Sequence, residues 1–532
     1  MQRSISPKTL PLFSNIKKAG VMLMISGVAL LGACNGGSGG TTGSGGTTRS
    51  GPTGDVPIGA PVVTNKVSGT VVDKNGVPIS GVTIRVFHHN ENSTVTTTTD
   101  ANGAWSVSGQ STGANSDYAI YAEKSGFGFY PSVGDAAGSV GKLDFNGLYR
   151  TVIRFLSMPG HDVSSANFTA LRPGDKVASL PRTGQTASYA SGDDYSARKG
   201  VAWPGTRFTD NLDGTVTDHL TGLVWLKNAG CFGPSDWSTA LAAANQLAGG
   251  SCGLTDGSTA GQWRMPNANE LESLVDVSQF NPAVSAGHPF TNINLAKAYW
   301  SSTTYMALTA NAMAIRFSDG RWINGAEGGD NNFNNSKSTS ANSLWAVKSG
   351  GAGAIQVLAT GVYDSQGGKS FGPGDDAILQ LGAPLTFPRF IDKGDGTLAD
   401  TVTGLTWLKK ADCINQPWSG ALNTINTLAS GQCGLTDGSV AGQWRMPNRS
   451  EMLSLSDRSP TFPQANYLNG IPGADGITVI NPAIFNNFIV SNYYWTSTTN
   501  AADTTQAWTI YSCDFGVYNI AKTDTRYSLA VR

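Results

Sequence analysis

Asp210, Asp213 and Asp218 recur as Asp392, Asp395 and Asp400, each set lying in a matching block. The blocks read RFTDNLDGTVTDHLTGLVWLKNAGC at 207–231 and RFIDKGDGTLADTVTGLTWLKKADC at 389–413. Carboxylates gathered in turns suit a hard oxygen-seeking cation, and calcium is the metal they would take. The competing reading gives the Asp-Gly steps to hairpin turns and leaves the other carboxylates in solvent. Cys231 and Cys252 recur as Cys413 and Cys433. A pair kept in both copies at similar spacing predicts one disulfide per copy, whereas two thiolates without clustered His make a poor zinc site. Cys513 is left over, opposite Ser318 of the first copy, and reads as a buried, inert thiol, the competing reading being a reactive thiol without an evident His partner. All five His residues (88, 89, 161, 219 and 288) precede the second copy, so no His-based catalytic site is shared. Neither H-E-x-x-H nor a structurally placed phosphate loop occurs, and the chain is expected to be no enzyme and to need no cofactor beyond a calcium ion.

These residues belong to a unit written twice. CGLTDGSTAGQWRMPN at 252–267 and CGLTDGSVAGQWRMPN at 433–448 differ only at Thr259 against Val440. Between the two cysteines of each copy, Trp237, Ala240, Leu241, Ala244 and Leu247 keep helical spacing, as do Trp418, Ala421, Leu422, Ile425 and Leu428. Asn267 with Glu270, and Asn448 with Glu451, predict capped helix starts. Trp263 and Trp444 then read as core, with Arg264 and Arg445 pairing to those capping carboxylates. YWSSTT at 299–304 matches YWTSTT at 494–499, an offset of 195 where the upstream blocks differ by 182, which locates an insertion around 458–480. The copies run over 178–348 and 356–532, and the Gly-rich join KSGGAGAIQ at 348–356 is expected to hinge.

Recognition residues are sought on loops carried by such a framework. The polar loop at 324–343 supplies Asn324, Asn331 and Asn332, which could bond sugar hydroxyls while the flanking Trp322 packs on a ring. Trp508 and Tyr511 are the candidates in the second copy. The competing reading is a solvated loop with no ligand.

D-G-T at 213–215 and 395–397, T-G-L-x-W-L at 221–226 and 403–408, W-R-M-P, and Y-W-[ST]-S-T-T follow one another in both copies. This unit resembles the Lcl C-terminal domain family, named from a bacterial collagen-like adhesin. The resemblance implies a C-type-lectin-like α+β fold and an adhesin-like, non-catalytic role. Both copies lack the Cys that the family often carries near its final strand, having Ala346 and Ala530 there.

Upstream, residues 62–171 alternate with period two around Asn-Gly turns, as a small all-β sandwich would. Ser68-Gly69-Thr70-Val71-Val72, Gly76-Val77-Pro78-Ile79, Thr99-Asp100, Gly103 and Trp105 resemble the carboxypeptidase regulatory-like, or transthyretin-like, domain, which implies a spacer. His88 and His89 read as a solvated strand end. Residues 34–61 are nearly all Gly, Ser, Thr and Pro and form a tether. Residues 1–33 have a basic start and a short apolar run, and end in Leu31-Gly32-Ala33 before Cys34. That ending resembles a lipobox, which implies cleavage before Cys34 and a lipid on its thiol.

The expected protein is therefore multidomain: an N-terminal all-β transthyretin-like sandwich followed by two α+β C-type-lectin-like domains. By analogy with the sorting of such lipoproteins, the lipobox resemblance with Asn35 behind the cysteine implies the bacterial outer membrane, facing the periplasm or the cell surface. The partners are the membrane, through Cys34, and a glycan or an envelope or host protein. With 36 basic against 37 acidic residues, no electrostatic footprint for nucleic acid exists. The alternative is an envelope spacer that reads no ligand.

Overall fold

The computed structural model describes residues 64–88, 93–111, 117–132, 138–145, 148–156, 166–305, 308–323, 335–362, 374–456, 458, 484–489, 491–512 and 515–532. The first part is a two-sheet β unit. One sheet orders Ala104–Ser111, Thr64–Asp73, Phe168–Leu171 and Gly128–Pro131; the other orders Ser93–Thr98, Thr83–His88, Asp117–Glu123, Leu148–Leu156 and Gly138–Phe145. Period-two patterning makes this possible: Thr83–His88 alternates half-buried and buried side chains along its length. Val67, Val71, Ile84, Val86, Trp105, Ile120 and Phe168 fill the space between the sheets. His88 departs from expectation. It is only 4% exposed and stacks on Tyr118 with 4.4 Å between ring centroids, so it is core and not a solvated strand end.

Among its described residues the remainder has six helices: α1 (Asp194–Ala197), α2 (Trp237–Gln246), α3 (Ala268–Ser273), α4 (Asp376–Leu379), α5 (Trp418–Asn426) and α6 (Arg449–Ser454). Each copy has a small antiparallel sheet from its Asp-rich block and a five-stranded sheet. The five strands are ordered Phe232–Ser235, Asn342–Leu344, Tyr299–Thr304, Ala312–Ile315, Trp322–Ile323 in copy one. In copy two they are Ile414–Gln416, Arg526–Ser528, Tyr493–Thr499, Gln506–Tyr511 and Val517–Ala521 in the same order. Helices α2 and α5 lay their predicted apolar faces on these sheets: Trp237, Ala240, Leu241 and Ala244 are buried, as are Trp418, Ala421, Leu422 and Ile425. Both capping boxes form, Asn267 with Glu270 and Asn448 with Glu451.

Cys231 bonds to Cys252 and Cys413 to Cys433, closing loops of 21 and 20 residues around α2 and α5. Opening either one by a Cys→Ser pair should cost about 3 kcal/mol, because the unfolded chain regains the entropy of a loop that size. Urea midpoints of the oxidised parent and the Cys413→Ser/Cys433→Ser variant measure it; equal midpoints would show that the bond contributes nothing.

The two copies are not beads on a string. The segment ahead of each copy crosses to the other one. In the first leader, Val177 and Ala178 donate to the Val402 carbonyl at 3.0 Å, and Gln185 accepts from the Thr499 N–H at 2.8 Å. Asp194 of α1 then accepts from the Thr498 hydroxyl at 2.6 Å. The second leader reciprocates on copy one. Ile355 donates to the Leu220 carbonyl at 2.9 Å, and Asp376 of α4 accepts from the Thr303 hydroxyl at 2.7 Å. One core draws on both copies, joining Met313 and Trp322 to Met452, Leu453 and Trp508.

The join at 348–356 accordingly does not read as a hinge. Lys348 pairs with Val224 in a sheet, and Ala354 and Ile355 bond to the His219 and Leu220 carbonyls. Gly350 and Gly353 serve close approach: a Cβ on Gly350 would stand 2.2 Å from the Gly222 carbonyl oxygen. The β unit is fixed to copy two in the same way, through paired Phe129 and Phe387 backbones at 2.8 and 2.9 Å.

Candidate functional site

The most strongly repeated residues do structural work. Trp263 is fully buried and donates to the Ser258 hydroxyl at 2.9 Å, as Trp444 does to Ser439 at 3.0 Å. Arg264 forks onto both oxygens of Glu270 at 2.6 Å, while Glu270 accepts from the Asn267 N–H at 2.9 Å. Arg445, Glu451 and Asn448 repeat this at the same distances. Bidentate pairing of this kind locks the turn before each helix.

The carboxylates first considered for calcium are engaged separately. Asp210 pairs with Lys227 at 2.6 Å, and that hydrogen bond holds its carboxyl below the usual range. Asp392 pairs with Lys409 at 2.5 Å. Burial pushes the Asp392 carboxyl up, but Lys409 and the Gly394 N–H outweigh it and the balance is downward. Asp213 and Asp395 accept from the N–H and hydroxyl of Thr215 and Thr397, closing the Asp-Gly turns. Asp218 and Asp400 are buried against Arg207 and Arg389. Among the described residues no three His, Cys, Asp or Glu side chains come together as a cation site. The calcium reading of Asp210, Asp213, Asp218, Asp392, Asp395 and Asp400 is corrected accordingly: cationic side chains and turn donors already occupy them.

Two of the expected aromatic platforms are also corrected. Trp322 is 5% exposed, donates its indole N–H to Glu272 at 2.7 Å and lies under the Arg458 guanidinium. Trp508 is 2% exposed beneath Arg449, 4.6 Å from ring to guanidinium. Both are part of the shared core, so neither ring face is offered to a ligand. Cys34, Asn324, Asn331, Asn332 and Cys513 lie outside the described residues.

Tyr511 has a different setting. It is half-buried and faces its cross-strand partner Tyr493 with 4.8 Å between centroids. Tyr518 on the next strand stands edge-on to both, at 5.5 Å from Tyr493 and 6.2 Å from Tyr511. Side chains alternate across a strand, so Tyr493 shares a face with Trp495, and Tyr511 with Thr509 and Ala507. Trp495 and Ala507 pack in the α5 cluster, while the three tyrosines pave the far end of the same face. Arg526 lies 5.5 Å from the Tyr493 ring. By sheet register the positions in copy one are Ala298, Arg316 and Ile323. Arg316 is buried there and pairs with Asp319. The aromatic face is thus confined to copy two. Sequence reasoning found Tyr511 but missed Tyr493 and Tyr518, whose grouping depends on register across three strands.

A feature repeated in both copies was also missed. Lys337 rests over the Trp237 ring at 4.3 Å and donates to the Thr304 hydroxyl at 2.7 Å; Lys522 rests over Trp418 at 4.1 Å and donates to Thr499 at 2.9 Å. Burial pushes both ammonium groups down to about 8, opposed by Asp375 and Asp193 of the crossed leaders. These lysines help seat the leaders on the opposite sheet.

A duplicated framework and one β unit define a class of modular, repeat-bearing protein. Comparison with known proteins gives the family. The Lcl C-terminal domain model matches residues 214–348 and 396–532, just over half of the chain, and the carboxypeptidase regulatory-like domain model matches 66–140. The chain belongs to the Lcl C-terminal domain family, with a carboxypeptidase regulatory-like domain ahead of the two copies. No curated protein matches it significantly. Solved structures show slight likenesses. A mutant catechol 1,2 dioxygenase of Acinetobacter radioresistens is 19% identical over 13% of this chain and 33% of that one, with a TM-score of 0.11. The dioxygenase domain of a dioxygenase carbohydrate-binding protein fusion from Streptomyces sp. SirexAA-E is 20% identical over 13% and 53%, with a TM-score of 0.10. Invasin, a bacterial integrin-binding protein, is 11% identical over 89% and 99%, with a TM-score of 0.14. The chain spans about a third and about half of the two dioxygenase chains, and scores this low carry no argument. No helix among the described residues is long and apolar enough to cross a membrane.

Proposed function

We propose that this chain is a non-catalytic, adhesin-like protein of the bacterial envelope, lipid-anchored at Cys34 to the outer membrane. A transthyretin-like sandwich carries two C-type-lectin-like domains, of which the second binds glycan. The observation behind this reading is the Tyr493, Tyr511 and Tyr518 face, present in copy two and replaced by Ala298, Arg316 and Ile323 on the matched framework of copy one. Flat aromatic surfaces at low entropic cost suit the apolar faces of sugar rings, with neighbouring polar groups meeting the hydroxyls. A difference at three neighbouring positions of an otherwise duplicated sheet is what a change of ligand would leave behind.

The test is a glycan array with the full chain and its Tyr511→Ala/Tyr518→Ala variant. The parent should bind a defined glycan set, and the variant should lose affinity by about tenfold or more with an unchanged circular dichroism spectrum. Equal binding by the variant would move the site elsewhere, and a blank array for folded parent would remove the glycan reading. A second reading, a rigid envelope spacer, draws on the crossed leaders and on the β unit fixed to copy two through Phe129 and Phe387. It predicts the blank array.

A further inference from the structure

Where the two leaders cross, they border a half-open cavity of about 90 Å³ that belongs to neither copy alone. Pro181 from the first leader and Leu358 from the second are both in its wall, with Val275 and Leu453 from the two bodies. Apolar walls alone would leave it dry. Its polar lining is unusual, however. The Nε of Arg182 and the Nη1 of Arg449, both residues of this wall, are buried with no hydrogen-bond partner. Arg449 is only 1% exposed, and its other nitrogens are committed to Glu272 and the Gly320 carbonyl. The wall residue Trp203 carries the Arg207 guanidinium on its ring at 4.3 Å, and Arg207 Nη1 is likewise buried and unpartnered. Buried donors in folded proteins are nearly always satisfied. Two guanidinium groups of this wall, Arg182 and Arg449, each keep a buried N–H for which the chain supplies no acceptor.

We infer that the seam between the two copies is a binding site for a compact carboxylic acid with an apolar body, its carboxylate meeting Arg182 and Arg449 and its body filling the space between Pro181, Leu358, Val275 and Leu453. The nearby carboxylates do not already play this part. Glu272, itself a wall residue, is held by Arg449 and the Trp322 indole, Asp218 by Arg207, and the buried Asp276 accepts from Ser278. Because both leaders and both bodies form the wall, a bound acid would tighten the crossing itself. The site is independent of the tyrosine face and goes beyond the glycan-binding reading.

Benzoate is a suitable probe, with benzyl alcohol as the neutral control of similar shape. In calorimetric titration of the full chain, benzoate should saturate one site with Kd about 1 mM or tighter, and benzyl alcohol should bind at least about tenfold more weakly. Arg182→Met should weaken benzoate about tenfold at an unchanged melting temperature. Val357→Trp, which fills the space from its rim, should abolish binding. If Val357→Trp fails to fold, Arg182→Met still decides. Absence of saturable benzoate binding, equal affinity for benzyl alcohol, or benzoate affinity untouched by Arg182→Met would overturn the inference and leave water as the partner of these donors. Tyr511→Ala/Tyr518→Ala should leave benzoate binding intact, so failure of this site and failure of the glycan reading are separately visible.

Discussion

Arg449→Met should destabilise the folded chain by about 3–5 kcal/mol. The Arg449 side chain is 1% exposed and ties α6 of copy two to α3 of copy one. Its Nε and Nη2 each donate to Glu272 at 3.0 Å, Nη2 also donates to the Gly320 carbonyl at 2.6 Å, and the guanidinium covers Trp508. Removing it leaves the Glu272 carboxylate in the seam with the Trp322 indole as its remaining donor. Glu272 keeps 19% of its side-chain surface, so water softens the loss and places it toward the lower end of that range. The pair also breaks the pseudo-symmetry: at an offset of 181, Arg449 corresponds to Ala268 and Glu272 to Leu453. Buried ion pairs are often no better than apolar replacements and serve to fix one arrangement. Glu272→Leu/Arg449→Met should therefore recover more than half of the lost stability. Urea unfolding of parent, both single variants and the double variant gives the coupling energy; a value near zero would show that the seam is held by packing alone.

Much of this architecture was legible in the sequence, for physical reasons that can be named. The capping boxes at Asn267 and Asn448 and the Arg264–Glu270 and Arg445–Glu451 pairs are local, spanning six residues or fewer. The disulfides were visible because duplication repeats their spacing. Trp508 was legible too, and was misread. Its register counterpart is Met313, a core side chain, so an apolar position was already implied. The same holds for the Asp triplets, since Arg207 and Arg389 stand at the head of the very blocks that contain Asp218 and Asp400. What no pattern could show is the crossing of the leaders. The Asp194–Thr498 bond joins residues 304 positions apart, and two similar bodies offer a leader the same dock. A repeat offset tells which segments are alike, not which of two equivalent surfaces each one covers. The join was misjudged for a related reason: glycine signals freedom in a solvated linker and close backbone approach in a packed one.

Raising the pH from about 5 to about 8 should weaken the hold of the crossed leaders, and Asp376→Asn should remove most of that sensitivity. Asp376 is buried, and its carboxyl is pushed from 3.8 up to about 7. Burial is the main cause; hydrogen bonds from Thr360 and Thr303 oppose it, and the charges of Glu270 and Asp375 add to it. Asp194 on the other leader follows the same pattern to about 6, with Thr183 and Thr498 as its donors. The sign follows from proton binding. Between about 4 and about 7 the folded chain holds a proton on Asp376 that the unfolded chain has released, so stability falls as pH rises through that window and is level above it. The interval from 3.8 to about 7 corresponds to an upper bound of about 4 kcal/mol. Asn keeps an oxygen for the two threonine hydroxyls and carries no charge to desolvate. The variant should therefore match the parent near pH 4 and exceed its stability near pH 8 by up to that amount. Denaturant unfolding at a series of pH values decides it. A variant less stable than the parent at pH 8 would mean that the ionised carboxylate is a net attraction, satisfied by more than the two threonines. The protonated lock at both leaders would then have to be given up together, since Asp194 and Asp376 occupy equivalent places in the crossing.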